Sequence, residues 1–253
     1  MPPRQRTPEG PPPAPAVQKL RVKYARRGRL RFSSTRDFGR ALERALRRAE
    51  LPMAFSAGFH PHPKISYANG APTGTASEAE YFEISVTERV DADAVRAALD
   101  AALPDGLDVL EVVEAAPGAL ADRLEASSWE LVFRQTALAD LEAAVDAYLD
   151  AAEAPVGRMF KTGMKTFDTR SAVVTMSAAA AADPSCAILR MVVRHTTPSV
   201  RPDDILTALR AVTALAPPVP PLVTRLAQGP LVADVSAGAA VDAVSDPLAA
   251  DRS

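Results

Sequence analysis

The stretch KLRVKYARRGRLRFSSTRDFGRALERALRRAELP, running from Lys19 to Pro52, carries the pattern from which the fold is read. Leu20, Val22 and Tyr24 alternate with Lys19, Arg21 and Lys23, the period of a half-buried strand. Arg26-Arg27-Gly28 supplies a turn, after which Leu30 and Phe32 alternate with Arg29 and Arg31. The pattern predicts a hairpin with one apolar and one strongly basic face. Then the period becomes helical. Ser34 followed by Asp37 makes a capping-box arrangement with Asp in place of Glu. Phe38, Leu42, Ala45, Leu46 and Ala49 form a buried stripe, and Pro52 ends the element. Arg36, Arg40, Arg44 and Arg48 recur every four residues on another face, with Arg47 alongside.

Outward from this opening, a loop over 56–64 leads to a short apolar segment over 65–67, a strand over 81–87, a helix over 92–103 and a strand over 107–113. The second half resembles the first in order. A strand is expected over 128–135, a helix marked by Leu138, Leu141, Val145 and Tyr148, a Gly/Lys loop over 157–165, and an extended stretch over 166–176. A strand over 188–194, a helix over 202–212 opened by Pro202 with two acidic residues in its first turn, and a short strand over 222–226 complete it. The economical reading is an α+β chain of two ferredoxin-like βαββαβ halves, 17–116 and 117–231, each an antiparallel sheet with helices on one face. Residues 1–16 are Pro-rich and 232–253 lack any amphipathic period; both read as disordered tails.

Apolar residues make up 47% of the 253 and charged residues 24%, ordinary values for a chain that buries a core. The single cysteine, Cys186, allows no intramolecular disulfide and no cluster held by several thiolates of this chain, so the protein is not itself a radical-SAM enzyme. Cys186 begins a strand and reads as a buried small hydrophobe. The first sixteen residues have no apolar signal region and no run of eighteen apolar residues exists, so the expected location is the cytoplasm with no membrane span.

The net charge of −2 conceals an asymmetry: residues 17–70 hold 13 Lys and Arg against 3 Asp and Glu, and residues 77–150 hold 4 against 18. A basic lobe of this kind suggests a polyanion site, the alternative being attraction between the two lobes. Like charges opposite one another across strands are destabilising, and an RNA backbone would compensate them. With Tyr24 and Phe32 on the apolar side and only Tyr81 in phase to point outward, RNA would be recognised by backbone and shape, without DNA specificity.

Four stretches carry a likeness to a known family: the helix opening from Phe32-Ser33 to Arg48; Gly58-Phe59-His60-Pro61-His62-Pro63-Lys64; Ser77-Glu78-Ala79-Glu80-Tyr81; and Lys165-Thr166-Phe167-Asp168-Thr169-Arg170. Arg201-Pro202-Asp203 adds a weaker one. Together they resemble the radical-SAM-linked family, a bacterial domain of unknown function found alone or fused to the C-terminus of radical-SAM proteins. The resemblance spans roughly 17–230. It implies a domain working beside a radical-SAM protein and brings no established catalytic residues. The double βαββαβ layout is also similar, by architecture alone, to the repeat-processing RNA endonucleases of CRISPR systems.

Each Pro of the His-Pro-His-Pro loop favours extended geometry in the residue before it, which sets His60 and His62 on a common side near Lys64. Those three are the candidates for acid/base chemistry. The only further histidine is His195, too few for a metal site, so no metal and no cofactor is expected. Lys161, Lys165, Asp168 and Arg170 form a second mixed cluster in which Asp168 either pairs locally with Arg170 or caps a turn. The sequence reading is thus an RNA-binding accessory protein, not itself expected to be an enzyme, whose contacts are Lys19, Arg21, Lys23, Arg29, Arg31, Arg36, Arg40, Arg44, His60, His62, Lys64, Lys161, Lys165 and Arg170. It would hold RNA for a separate radical-SAM protein. The alternatives are a metal-independent endoribonuclease using the His60–Lys64 loop and a structural adaptor between proteins.

Overall fold

The computed structural model describes residues 12–213, 215–232 and 243–252. Its first strand, β1 (Gln18–Arg26), carries the expected alternation in sequence but not in burial, since Arg21 and Arg26 are buried along with Leu20, Val22 and Tyr24. The expected second strand of a hairpin does not form. Residues Gly28–Phe32 are a 3-10 turn, in which the Leu30 N–H donates to the Arg27 carbonyl and the Ser33 N–H to the Leu30 carbonyl. Gly28, at φ +54, lets the chain leave the strand there. β1 pairs antiparallel with β4 (Leu107–Glu114) instead, from Leu20 opposite Glu114 to Arg26 opposite Leu107. The physical reason is charge. A hairpin would set Lys and Arg against Arg, whereas β4 brings Asp108, Glu111 and Glu114 alongside the cations of β1.

The chain forms two compact units. Unit 1 comprises the described residues up to Gly70, then Glu80–Gly118, and the end of the chain from Leu248. Its elements follow as β1, α1 (Thr35–Arg48), β2 (Ile65–Ala68), the greater part of β3 (Ala76–Val86), α2 (Ala92–Ala102) and β4, with strand order β4-β1-β3-β2. α1 begins as the sequence predicts: the Asp37 N–H donates to Ser34 Oγ, and the Asp37 carboxylate accepts from the Ser34 N–H. Phe38, Leu42, Ala45 and Leu46 from α1 and Val95 and Leu99 from α2 pack on Leu20, Val22, Tyr24, Phe82, Ile84 and Val109 of the sheet. Tyr24 and Phe38 stack at 4.6 Å.

Unit 2 comprises Ala71–Ala79 and Ala119–Pro247. Its elements are β5 (Ala126–Arg134), α3 (Leu138–Asp150), β6 (Pro155–Phe160), β7 (Gly163–Asp168), β8 (Val173–Ala180), β9 (Cys186–Arg194), α4 (Pro202–Val212) and β10 (Leu222–Gly229). The strand order is β10-β5-β9-β8, antiparallel at each step, and the start of β3 adds a short parallel pairing to β10. β6 and β7 form a separate two-stranded ribbon where the sequence suggested a Gly/Lys loop. The expected extended stretch over 166–176 is broken by a 3-10 turn at Arg170–Ala172. Trp129, Leu131, Phe133, Leu189 and Met191 meet Leu141, Tyr148, Ile205 and Leu209 in the core. Cys186 opens β9 as expected but is half-buried, not buried.

The tail readings fare differently. Residues 1–11 and 233–242 lie outside the described residues; 12–17 are exposed and without regular structure. Residues 243–252, expected to be disordered, are instead held in place. The Val232 N–H donates to the Ala243 carbonyl and the Ser245 N–H to the Pro230 carbonyl, while Ala243 and Val244 pack on Ala126 and Val192. Leu248 is fully buried, and Arg252 makes two bonds of 2.5 and 2.7 Å to the Glu111 carboxylate. Short apolar residues and two well-placed charges suffice here without an amphipathic period. Among the described residues no helix is long and apolar enough to cross a membrane.

Candidate functional site

The cations at Lys19 and Arg21 of β1, and at Arg27 just beyond it, are paired within unit 1. Arg21 has no exposed surface. Its Nε donates to Glu83 at 3.0 Å, one Nη to Asp251 at 2.5 Å and the other to the Gly118 carbonyl at 2.5 Å. Asp251 is wholly buried too, and it also accepts the Ala116 N–H at 2.8 Å. Lys19 lies 2.6 Å from the same Glu83, Arg27 pairs with Asp108 at 2.7 Å, and Lys23 stands opposite Glu111. Arg31 is half-buried, donates to the Gly28 carbonyl and lies over the Phe32 ring, leaving Arg29 exposed on the turn. The strand face therefore does not present the row of free cations that its spacing suggested.

α1 does present one. Arg36, Arg40, Arg44 and Arg47 are exposed, and none has an ion pair or side-chain hydrogen bond among the described residues. Four residues of helix rise about 6 Å, so Arg36, Arg40 and Arg44 form an evenly spaced row.

The His-Pro-His-Pro stretch forms the projecting end of a second ribbon. Its base is pinned to β3: Met53 bridges Val86, the Ala54 N–H donates to the Ser85 carbonyl, and the Ser85 N–H to the Lys64 carbonyl. Further out, the Lys64 N–H donates to Ala54, the Ser56 N–H to the His62 carbonyl, and the His62 N–H to Ser56 Oγ. Extended geometry imposed before Pro61 and Pro63 makes this pairing possible, and Gly58 at φ +132 turns the tip. His60, His62 and Lys64 are exposed, and Phe55 and Phe59 are 42% and 61% exposed. The ribbon runs directly into β2, whose Tyr67 meets Phe38 edge-on at 5.9 Å; a Cβ at Gly39 would lie 3.4 Å from its hydroxyl. Burial pushes the Tyr67 hydroxyl pKa up, with Glu43 adding to the effect. The exposed aromatics of this stretch are Phe55, Phe59 and Tyr67; Tyr81, the residue expected to point outward, is buried.

The side chains of His60, His62 and Lys64 make no hydrogen bond to one another, and no carboxylate orients either imidazole, among the described residues. Both rings are exposed side chains on a rigid backbone. No group of three or more His, Cys, Asp or Glu side chains is placed to share a metal ion among the described residues.

The second basic cluster divides. Lys161 and Lys165 are exposed on the β6–β7 ribbon, whereas Arg170 is half-buried and holds the Leu149 and Val173 carbonyls. Of the two local roles the sequence left open for Asp168, a pair with Arg170 or a turn cap, the structure shows the cap, with the Ala154, Arg170 and Ser171 N–H groups donating to it. Burial pushes its pKa up, but hydrogen bonds from Ala154, Ser171 and Arg170 outweigh that and bring it down to about 2. A buried Ser–His pair went unread in the sequence. His195 Nδ1 donates to the Leu124 carbonyl at 2.6 Å, which leaves Nε2 to accept from the Ser127 hydroxyl at 2.8 Å. Ser127 is 1% exposed, so no substrate reaches it and the pair acts as a structural pin. A cavity of about 520 Å³ beside α3 is lined by Thr136, Ala143, Ala147, Leu215 and Pro217, with Asp140 its one ionisable residue.

No curated protein matches the chain. Residues 19–202, well over half of the 253, match a family described as an uncharacterized protein conserved in bacteria (DUF2344). That span takes in β1, α1, the His-Pro-His-Pro ribbon and the β6–β7 ribbon, and it stops at the first residue of α4. The chain belongs to this uncharacterized bacterial family.

Proposed function

We propose that the protein binds RNA through unit 1, in the cytoplasm, and holds it for a separate radical-SAM protein. The observation that carries the reading is the α1 row of Arg36, Arg40 and Arg44, which makes no ion pair or side-chain hydrogen bond among the described residues. It lies on the helix that Tyr67 joins to the ribbon bearing Phe55, Phe59, His60, His62 and Lys64. Cations without carboxylate partners neutralise phosphates at little cost, and exposed aromatics offer faces on which unpaired bases stack. The radical-SAM partner rests on the family resemblance, and on a chain whose single cysteine leaves cluster chemistry to another protein. We also read both units as ferredoxin-like, because each runs βαββαβ with its fourth strand beside its first and its third beside its second; the β6–β7 ribbon is then an insertion in the second.

The test is titration of a labelled stem–loop RNA at several salt concentrations with wild type and an Arg36→Gln, Arg40→Gln, Arg44→Gln variant. Affinity should fall about tenfold or more and the slope of log K against log salt should flatten by about 2 to 3. Thermal stability should hold within about 0.5 kcal/mol, since the three exposed side chains make no ion pair or hydrogen bond among the described residues. They act on Asp37 only through solvent-screened charge. Unchanged affinity and slope would overturn the reading.

A further inference from the structure

The β6–β7 ribbon is built to stay rigid while exposing apolar surface. Its register sets Met159 opposite Met164 and Arg158 opposite Lys165. By strand alternation, Val156, Arg158, Phe160, Lys165 and Phe167 share one face, and Gly157, Met159, Met164 and Thr166 share the other. The first face anchors the ribbon. Val156 is buried, and the Arg158 guanidinium lies 4.7 Å from the Phe160 ring and 4.9 Å from the Phe167 ring. The same guanidinium donates to the Asp204 carboxylate and to the Ser199 carbonyl of the segment leading into α4. At the base, Asp168 caps Ala154, Arg170 and Ser171, and Thr169 bonds the Ala154 carbonyl. The turn closes over Lys161-Thr162 with Gly163 at φ +109, a conformation that favours glycine.

The second face is left open. Met159 and Met164 are 68% and 63% exposed, the two highest values among the exposed large hydrophobic residues described. Lys161 is exposed in the turn next to them, Lys165 is exposed on the ribbon's other face with its Nζ 5.6 Å from the Phe160 ring, and residues 156–167 contain no acidic residue. Nothing in the fold of unit 2 needs this arrangement: the anchor is complete without either methionine.

We infer that the Met159–Met164 face is a base-contacting wedge for unpaired nucleotides of RNA, with Lys161 at the turn and Lys165 on the ribbon's other side neutralising the phosphates that flank it. Apolar side chains such as methionine pack on the faces of unstacked bases, and in an intact duplex they reach such a face only by paying to unstack a base step. Charge complementarity selects a polyanion over an apolar protein partner for this ribbon. The inference rests on the RNA-binding reading and narrows its ligand to RNA with an unpaired segment.

The test uses the full chain and two labelled RNAs, a stem carrying an internal bulge and the same stem fully paired. A Met159→Ser, Met164→Ser variant should melt like wild type, because both side chains are exposed. It should lose about tenfold in affinity for the bulged RNA, keep its affinity for the paired stem, and keep the wild-type salt slope. Lys161→Gln with Lys165→Gln should instead flatten the slope on the bulged RNA by about 1.4, at roughly 0.7 per phosphate contact in a single strand. Equal affinities of the methionine variant and wild type for both RNAs would overturn the wedge while leaving the unit 1 site standing. A methionine variant that lost only self-association, seen by sedimentation, would also overturn it and make the face a protein interface. Failure of wild type to bind either RNA would instead overturn the RNA-binding reading itself.

Discussion

Asp251→Ala tests whether the end of the chain is part of unit 1. Asp251 Oδ1 accepts from Arg21 at 2.5 Å and from the Ala116 N–H at 2.8 Å, and neither the Asp251 nor the Arg21 side chain touches solvent. The substitution leaves Arg21 with Glu83 and the Gly118 carbonyl but removes a charged acceptor, worth about 1.5–3 kcal/mol. It also strands the Ala116 N–H, at about 1–3 kcal/mol. Water entering the gap offsets part of this, so the expected loss is about 3 kcal/mol, the low end for a broken buried pair. Hydrogen exchange of the β1 amides reads unit 1 directly, and that loss would speed exchange through unit 1 opening by about a hundredfold. Arg252→Ala is the control. Its pair with Glu111 is 44% and 25% exposed by side chain and should be worth about 0–1 kcal/mol. If Asp251→Ala accelerates exchange no more than Arg252→Ala, the buried-network reasoning is wrong.

The remaining predictions concern the His-Pro-His-Pro ribbon and His195. His60→Asn should keep most RNA affinity, and Lys64→Ala should weaken it with a flatter salt slope, whereas chelator-resistant RNA cleavage abolished by His62→Ala would make the ribbon catalytic. Phe55→Ser with Phe59→Ser should cost about tenfold in affinity for RNA with unpaired bases, at a stacking worth of about 1–3 kcal/mol per base, and leave the melting temperature unchanged. Burial lowers the His195 pKa, with Arg225 acting the same way against the Leu124 hydrogen bond. The unfolded chain therefore binds more protons as pH falls below about 6.5, and stability should decline from there through the lower folded value. Thermal melts across pH 5 to 8 should show that decline in wild type and not in His195→Gln.

Helices and most strands were legible because their signals are local. Ser34, Asp37 and the stripe from Phe38 to Leu46 specify α1 from its own sequence, and Pro202 with Asp203 and Asp204 does the same for α4. The two failures were both questions of what a strand pairs with. Arg29 and Arg31 continue the alternation of β1, yet their residues turn aside because β4, eighty positions later, offers carboxylates where a hairpin would offer guanidinium groups. The β6–β7 ribbon was hidden by Gly157 and Gly163, which read as a loop, although Val156, Arg158 and Phe160 alternate; Gly163 in fact closes its turn. The exposed aromatics of the His-Pro-His-Pro ribbon were missed for a related reason. Phe55 and Phe59 sit outside any periodic segment, and nothing local says that a phenylalanine in a loop stays in water.

Charge was the feature the sequence displayed most plainly and located least well. Counting gives 13 cations over residues 17–70 and 18 carboxylates over 77–150, but only pairing decides which cations remain for a partner. Glu83 takes Lys19 and Arg21, Asp108 takes Arg27, and Asp251 completes the shell around Arg21 from the far end of the chain. These pairs hold Lys19 and Arg21 of β1 and the adjoining Arg27. Among the cations that are left, α1 carries a regular row, and the only acidic residues of that helix are Asp37, bonded to Ser34, and Glu43. A polyanion approaching β1 would have to displace two carboxylates held within 3.0 Å of a buried guanidinium, and would leave both without their partner. One approaching Arg36, Arg40 and Arg44 displaces counterions and water, whose release drives the association.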